Sequence, residues 1–339
     1  METDVTEVLS EMRTNLDKFF DEKVYLSYSA INLLLFSPKA YSDKYIDKLK
    51  EDKTAKYLIE GKLIHCLLLT PTLLEEHYIR SDISLPPENT KKVIDFIFKN
   101  KVKDVDDIHE YEGLILSRLI DINLHQSLKE DSGRIAKILT PEAINYWNFL
   151  LKAKGKEVID NEIYEYCENV VEVIRNDIEV LKVLGQTSNP FDDNENIEVF
   201  NELPVQADME RFPFGFKGIL DNVVVDHIQK EIIINDFKTT SKPLVEFKET
   251  IEFYNYWIQA LMYVVLVQKH FVQYEGYTIK FNFIVIDSFL QYYIFKVTEA
   301  TLTKWLERFT SEIEPRLLYH FENRDFNLPW ELATKKLVL

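Results

Sequence analysis

The sequence predicts an α/β (α+β) chain in which a mostly helical N-terminal region, residues 1–190, precedes a sheet-bearing half, residues 191–339. Three observations lead there. Apolar residues recur at helical spacing as far as Gly185 and at every second position after Asn196. The stretch Gln186–Asn196 between them is polar and holds Asn-Pro and Asp-Asp, as suits a boundary. Beyond it, Asp221, Asp236 and Lys238 interrupt strands that are otherwise apolar. The chain has 339 residues, 46% of them hydrophobic, enough for a sizeable core in one large domain or two modest ones.

The elements follow in order. Residues 4–22 read as an amphipathic helix. Ser27 caps a short helix ending at Ser37-Pro38. Lys53–Leu69 is a strongly apolar helix stopped by Thr70-Pro71, and Glu75–Leu85 is extended or irregular. Asn89–Lys99, Asp107–Leu128 and Thr140–Lys152 have helical periodicity, the last with a capping Thr140 and Pro141 in its first turn. Lys156–Ile159 is a short strand, and Asn161–Leu184 is one long helix closed by Gly185. Ile197–Val205, Phe214–Asp226 and Glu231–Lys238 then alternate as three strands. Glu252–Lys269 is a helix, Tyr277–Asp287 and Gln291–Val297 form a hairpin, and Thr298–His320 is a helix kinked at Pro315. The second half therefore runs β-β-β-α-β-β-α.

Composition excludes several classes. Two cysteines, Cys66 and Cys167, are too few for a four-cysteine zinc site or a cysteine-ligated iron–sulfur cluster, and both fit helical patterns as buried thiols. No apolar run reaches membrane-spanning length, and the acidic start Met1-Glu-Thr-Asp is unlike a secretory or transit signal, so a cytoplasmic protein is expected. The formal net charge of −17 weighs against a general nucleic-acid binder, unless a positive groove is confined to one site.

The chemistry concentrates between Gly218 and Lys238. Asp236 and Lys238 are two apart on a strand and share a face, while Phe237 points the other way. The run Ile232-Ile-Ile marks that strand as covered on both faces, so an ion pair on an exposed face is the weaker reading. Carboxylates that hold a divalent cation beside a lysine would account for these charges. Gln259 and Tyr263, four apart on the next helix, stack on one side of it or simply pack. His65 stands four residues after Gly61, where the missing side chain would admit another backbone; it is a core histidine or a ligand. Tyr254, Tyr256 and Trp257 either stack on a base or pack in the core. Lys217, Lys242, Lys248 and Lys280 track phosphates or are ordinary surface.

These motifs resemble the PD-(D/E)xK nuclease superfamily, nearest its RecB- and RecE-type exonucleases. Gly218-Ile-Leu-Asp221 is similar to the metal-binding aspartate motif, Asp236-Phe-Lys238 to the D/E-x-K step, and Gln259-Ala-Leu-Met-Tyr263 to the Q-x-x-x-Y helix. Gly61-Lys-Leu-Ile-His65 resembles the G-x-x-x-H element of that branch, and Ser27-Tyr-Ser29 through Tyr41 its opening. Each motif alone is weak; order, spacing and secondary structure together carry the likeness, which covers most of the chain.

The resemblance implies a restriction-endonuclease-like αβββαβ core and a metal-dependent deoxyribonuclease. It implies Mg²⁺ or Mn²⁺ on His65, Asp221, Asp236 and the Phe237 carbonyl, with Lys238 stabilising developing charge. Gln259, Tyr263, Glu202 and Thr239 would support the site, Glu202 with Glu198 and Asp208 as close alternatives. An exonuclease of recombination, repair or phage DNA metabolism is the leading expectation, in a bacterium or phage-infected cell. Relatives of this kind work as rings, or with a single-strand annealing protein or a helicase. A catalytically inactive binding protein of the same fold and a structure-specific endonuclease are the alternatives. Having too few cysteines for the iron–sulfur cluster of some relatives moves the likeness towards the RecE side.

Overall fold

The computed structural model describes residues 15–49, 56–81, 83–102, 105–153, 155–186 and 195–335. Residues 4–14 of the expected first helix, the start of the Lys53 helix and most of the Gln186–Asn196 stretch lie outside the described residues. The chain divides into two compact units, one made of Met1–His65 with Val170–Leu339 and the other of Cys66–Asn169. The long helical pattern before residue 185 therefore contributes its end to the same unit as the strands.

That first unit is built on a six-stranded mixed sheet. Its strands are β1 (Tyr25–Leu26), β2 (Ile197–Ala207), β3 (Gly215–Asp226), β4 (Glu231–Thr240), β5 (Thr278–Asp287) and β6 (Tyr292–Val297), in the order β1-β3-β4-β5-β6, with β2 also paired to β3. Strands β4 and β5 run parallel from Glu231↔Thr278 to Thr240↔Asp287. They are the two whose sequences are near-continuous apolar runs, as parallel strands covered on both faces require. The α/β class and the β-β-β-α-β-β-α order are those expected.

One edge of β3 is interrupted. Phe216 pairs with Leu26 of β1 and with Ala207 of β2, so these two strands lie on opposite edges. Asn222 likewise pairs with Asn201 of β2 and Asn235 of β4. Strands β1 and β4 thus share an edge, β1 along Gly215–Phe216 and β4 along Asn222–Asp226. Between them, residues 217–221 have no strand partner on that side.

Five helices of this unit matter to the site. Helix α1 (Tyr28–Phe36) starts at Ser27, whose hydroxyl accepts from Ala30 N–H. Helix α2 (Lys56–Leu69) carries His65. The single helix expected over Asn161–Leu184 is two, Asn161–Arg175 and α3 (Ile178–Val183). Asp177 breaks it by accepting from the amides of Glu179 and Val180, which fixes an extended backbone at the cap. The helix expected over Glu252–Lys269 is also two, Phe247–Phe253 and α4 (Tyr256–His270), because Asn255 takes φ 57°. The C-terminal helix divides at a π-turn, Phe309–Ile313, between α5 (Glu299–Arg308) and the helix Glu314–Asn323, whose first turn holds Pro315. Packing of α4 on the sheet buries Trp257, Ile258, Met262 and Leu266 against Val223, Ile234, Phe281 and Phe283.

The second unit is helical, with helices Glu88–Lys99, Glu112–Asp121, Asp131–Ile138 and Pro141–Ala153 around Val93, Ile97, Ile115, Leu119 and Trp147. The pattern read as one helix over Asp107–Leu128 is a 3-10 turn, Ile108–Tyr111, and one shorter helix. Tyr78–Arg80 pairs in parallel with Glu157–Ile159. The first of these strands falls inside the segment expected to be extended or irregular. Both cysteines are buried, and neither forms a disulfide among the described residues.

Candidate active site

Strands β3 and β4 pair as far as Asn222↔Asn235 and then separate. The next residues outward are Asp221 and Asp236, which continued pairing would have placed opposite each other. Instead, Phe237 N–H donates to Asp221 Oδ2 at 2.7 Å, so a side chain replaces a ladder bond where the strands part. The site lies in this opening.

Gly218 lets a helix approach it. A Cβ there would stand 2.7 Å from the Tyr263 ring, so only glycine fits beneath α4 at this point. Tyr263 Oη donates to the Ile219 carbonyl at 2.9 Å and accepts from Gln259 Nε2 at 3.0 Å. The otherwise unpaired edge at 217–221 is thereby partly satisfied by a helix side chain. Gln259 Oε1 is buried with no hydrogen-bond partner. Burial also holds the Tyr263 hydroxyl firmly protonated. Gly61 has no such role: nothing lies within 4 Å of where its Cβ would stand. The close backbone approach expected there is absent, because that side of α2 faces open space.

Three ligand-bearing side chains converge. His65 Nδ1 is 3.3 Å from Glu202 Oε1 and 3.5 Å from Asp221 Oδ1. One donor atom from each of His65, Glu202 and Asp221 falls within 4.8 Å of the others. Glu202 reaches them through a backbone distortion. Its φ is +49°, and it interrupts the β2–β3 pairing between Asn201↔Asn222 and Leu203↔Leu220. A non-glycine residue in this region is uncommon, and such strain of about 1–3 kcal/mol persists where surrounding contacts impose it. The alternatives Glu198 and Asp208 are engaged elsewhere, Glu198 by His227 and Tyr274, and Asp208 by Lys23 and Tyr25.

Asp236 and Lys238 stand beside this trio. Asp236 is wholly buried. Lys238 Nζ is 2.5 Å from Asp236 Oδ2, and no other described residue bonds to the Asp236 carboxylate. The ammonium also lies over the Tyr256 ring, 4.8 Å from its centroid. Phe237, on the opposite face, sets its ring edge-on to His65 at 6.1 Å. Its contact within the site is the amide to Asp221. Thr239 is exposed on the alternate face from Lys238, and no hydrogen bond joins its hydroxyl to the cluster.

The protonation states follow from burial and charge. Burial raises the Asp236 carboxyl above the usual range, Lys238 opposes that rise, and Asp221 adds to it. Burial pulls Lys238 down, but Asp236 and Asp221 outweigh it and hold the ammonium above its ordinary value. Burial also pulls His65 down, although a quarter of its side chain stays open. Asp221 and the bond to Glu202 win, and its pKa is pushed up to about 9.

The donor set fits a divalent cation. The Asp236 carboxylate keeps one oxygen, Oδ1, without a partner among the described residues, and an unmet buried acceptor costs about 1–3 kcal/mol. An imidazole converging with two carboxylates, protonated only for want of a better partner, is a ligand set for Mg²⁺-like or Mn²⁺-like ions.

Sequence reasoning did not find the asparagines one position away. Asn222 Nδ2 donates to Asn201 Oδ1 at 2.8 Å, Asn235 Nδ2 to Asn222 Oδ1 at 2.8 Å, and Asn282 Nδ2 to Asn235 Oδ1 at 2.9 Å. The same amides reach the last carbonyls of α3, at Leu184 and Val183. The ladder ties four strands together and closes a helix terminus in the row next to Asp221 and Asp236.

Comparison with known proteins adds a likeness to one family over part of the chain. Residues 160–319 match the model of the PD-(D/E)XK nuclease superfamily. The matched span holds Glu202, Asp221, Asp236, Lys238, Gln259 and Tyr263, and leaves out His65. Among solved structures, the chain is similar to one from Eubacterium rectale described as a "putative exonuclease", with 14% identity, 100% of this chain and 95% of that chain covered, and a TM-score of 0.47. No curated protein matches the sequence.

Proposed function

We propose that this chain is a divalent-metal-dependent deoxyribonuclease that hydrolyses phosphodiester bonds at the opening between β3 and β4. The observation that carries the reading is Asp236: a wholly buried carboxylate whose one polar partner among the described residues is Lys238, beside a histidine–carboxylate trio. The match to a nuclease superfamily over residues 160–319 supports the same reading.

His65, Glu202, Asp221 and Asp236 would hold Mg²⁺ or Mn²⁺, with the Phe237 carbonyl as a further oxygen. When bound, the cation supplies a Lewis acid for the phosphoryl oxygen and lowers the pKa of water. The rest falls to the chain's own side chains. Lys238 keeps its proton, so its ammonium meets the charge that develops on the phosphoryl oxygens and does not serve as the base. Asp236 fixes that ammonium at 2.5 Å, and the Tyr256 ring covers it. Tyr263 and Gln259 hold the open edge of β3 at Ile219, which keeps Asp221 at its distance from β4. Thr239 would act as a substrate contact from its exposed position rather than as part of this network.

Exonucleolytic action is the finer reading, in recombination, repair or phage DNA metabolism, with RecE-type enzymes as the nearest branch. A cytoplasmic setting, an annealing protein or helicase as partner, and a ring-forming homo-oligomer complete it. The residues 1–190 region would contribute His65, and residues 191–339 the remaining ligands. Linear, nicked, circular and single-stranded DNA incubated with Mg²⁺ or Mn²⁺ provide the test. Degradation of linear DNA with circular DNA left intact is expected. Cleavage of closed circles would make the enzyme an endonuclease, and no cleavage of any form by the wild type would remove the hydrolytic reading.

A further inference from the structure

An aromatic surface leads away from Lys238, and the function proposed above does not use it. Tyr256, which underlies the Lys238 ammonium, is stacked on Tyr254 at 5.4 Å and 25°. Tyr254 meets Phe253 edge to face at 4.9 Å. Tyr254 is 46% exposed and Phe253 73% exposed, so two adjoining rings stand open to solvent. The short series Tyr256–Tyr254–Phe253 thus runs from the ammonium of the site to solvent.

The surface is held rigid from below. Asn255 adopts φ 57°, which breaks the helix between Phe253 and Tyr256. The Tyr254 carbonyl accepts from Tyr28 Oη and from Asn32 Nδ2 at 2.8 Å, and Asn255 Nδ2 donates to Asn32 Oδ1 at 2.9 Å. Helix α1 therefore pins the backbone on which two exposed rings sit. Rings fixed in advance lose little freedom when a flat ligand stacks on them.

The charge around the rings is mixed. Lys242 Nζ lies 5.5 Å from the Phe253 centroid and forms no ion pair among the described residues. Glu252 is engaged by Arg308 at 2.6 Å. Glu246 and Glu249 share the neighbouring turn and helix with Lys248, so the net attraction for a polyanion is small. A phosphate-tracking groove would need several lysines clear of acidic neighbours, and here Lys242 and Lys248 stand among Glu246, Glu249 and Glu252. Contact with a nucleic acid here must come mainly from stacking, and only unpaired bases offer their faces.

We infer that Phe253 and Tyr254 form a stacking platform for unpaired bases, and that the site beside Lys238 takes single-stranded DNA, as a free strand or a frayed end. This rests on the nuclease reading for the identity of the ligand. It also accounts for how a chain of net charge −17 engages DNA without a basic footprint.

Binding without metal separates the two ideas. A fluorescent single-stranded oligonucleotide and a blunt duplex of the same sequence are titrated with full-length protein in chelator. A second single strand carries 2-aminopurine, whose emission falls on stacking. Wild type should prefer the single strand and quench the probe. Phe253→Ala and Tyr254→Ala should each weaken single-strand binding by about tenfold or more, within the range for loss of one stacked base, and abolish quenching. Phe253→Trp should retain both, Lys242→Ala should cost less than either alanine variant, and affinity should depend only weakly on salt. Unchanged binding by both alanine variants with their thermal transitions intact, or equal affinity of wild type for duplex and single strand, overturns the inference. Wild-type protein that stacks the probe yet cleaves nothing with Mg²⁺ or Mn²⁺ defeats the nuclease reading and leaves the platform standing.

Discussion

Two neighbouring rows of β3 and β4 hold buried polar side chains under opposite rules. In one row, Asn222 and Asn235 take part in five hydrogen bonds, one with each other and four with Asn201, Asn282 and the carbonyls of Val183 and Leu184. In the next, Asp221 and Asp236 sit where the strands have parted, and the Asp236 carboxylate has only Lys238 for a polar partner among the described residues. Both rows desolvate polar groups. The asparagines recover what burial takes from them, and the Asp236–Lys238 pair does not. Stability explains the first row; the second keeps a buried ion pair whose polar atoms the described residues satisfy only in part.

The comparison can be broken at either row. The largest effect should come from single changes at the charged row. Lys238→Met and Asp236→Asn should each lower metal-dependent DNA cleavage by about 10²–10³-fold or more, as removal of one charge-stabilising group does. Each single change also strands its partner as a buried lone charge, at about 3–5 kcal/mol, so thermal unfolding must be followed beside activity. In the asparagine row, Asn235→Ala leaves Asn282 Nδ2, Asn222 Oδ1 and the Val183 carbonyl without partners. It should cost about 2–4 kcal/mol in denaturant unfolding. If Asn235→Ala were as stable as wild type, the two rows would not differ as described.

Metal binding sharpens the contrast next. A His65 pKa of about 9 means that a cation entering at pH 7–8 displaces a proton. Affinity should then rise by up to about tenfold per pH unit until that pKa is passed, with close to one proton released per ion. Calorimetry in two buffers of different ionisation enthalpy measures that number, and a value near zero would place the ion away from His65. The metal-free protein should behave in the opposite sense. A histidine whose folded pKa is raised stabilises fully below its unfolded value of about 6.5 and loses that contribution as pH rises through about 9. Its melting temperature should therefore fall across this window. The smallest effect is expected at the distorted residue. Glu202→Gly relieves the positive φ by about 1 kcal/mol, so melting temperature should hold or rise while metal affinity falls.

How far the sequence revealed these rows differs for a physical reason. Asp236 and Lys238 are two apart on an apolar strand, and Gln259 and Tyr263 four apart on a helix. Local periodicity alone puts each pair on one face, and the α/β order of the second half was legible for the same reason. The asparagine ladder joins residues 201, 222, 235 and 282, which meet only through strand register, and no local pattern announces that. Glu202 could not be separated from Glu198 and Asp208, because a single left-handed residue in β2 decides which one turns towards His65. The helix breaks at Asp177 and Asn255 were hidden because apolar spacing continues across them, whereas capping by Asp177 and the φ of Asn255 are decided by one residue each. Strand β1 is too short to show any alternation.

The central claim is that Asp236 and Lys238 are kept for chemistry and not for the fold. It is tested most directly by the double variant Asp236→Asn/Lys238→Met, which removes both buried charges and leaves neither stranded. Melting temperature and Mg²⁺- or Mn²⁺-dependent DNA cleavage should be measured on the same preparation. The expected result is a melting temperature equal to or above wild type, with cleavage abolished. A double variant that melts several degrees lower and still cleaves DNA would contradict it.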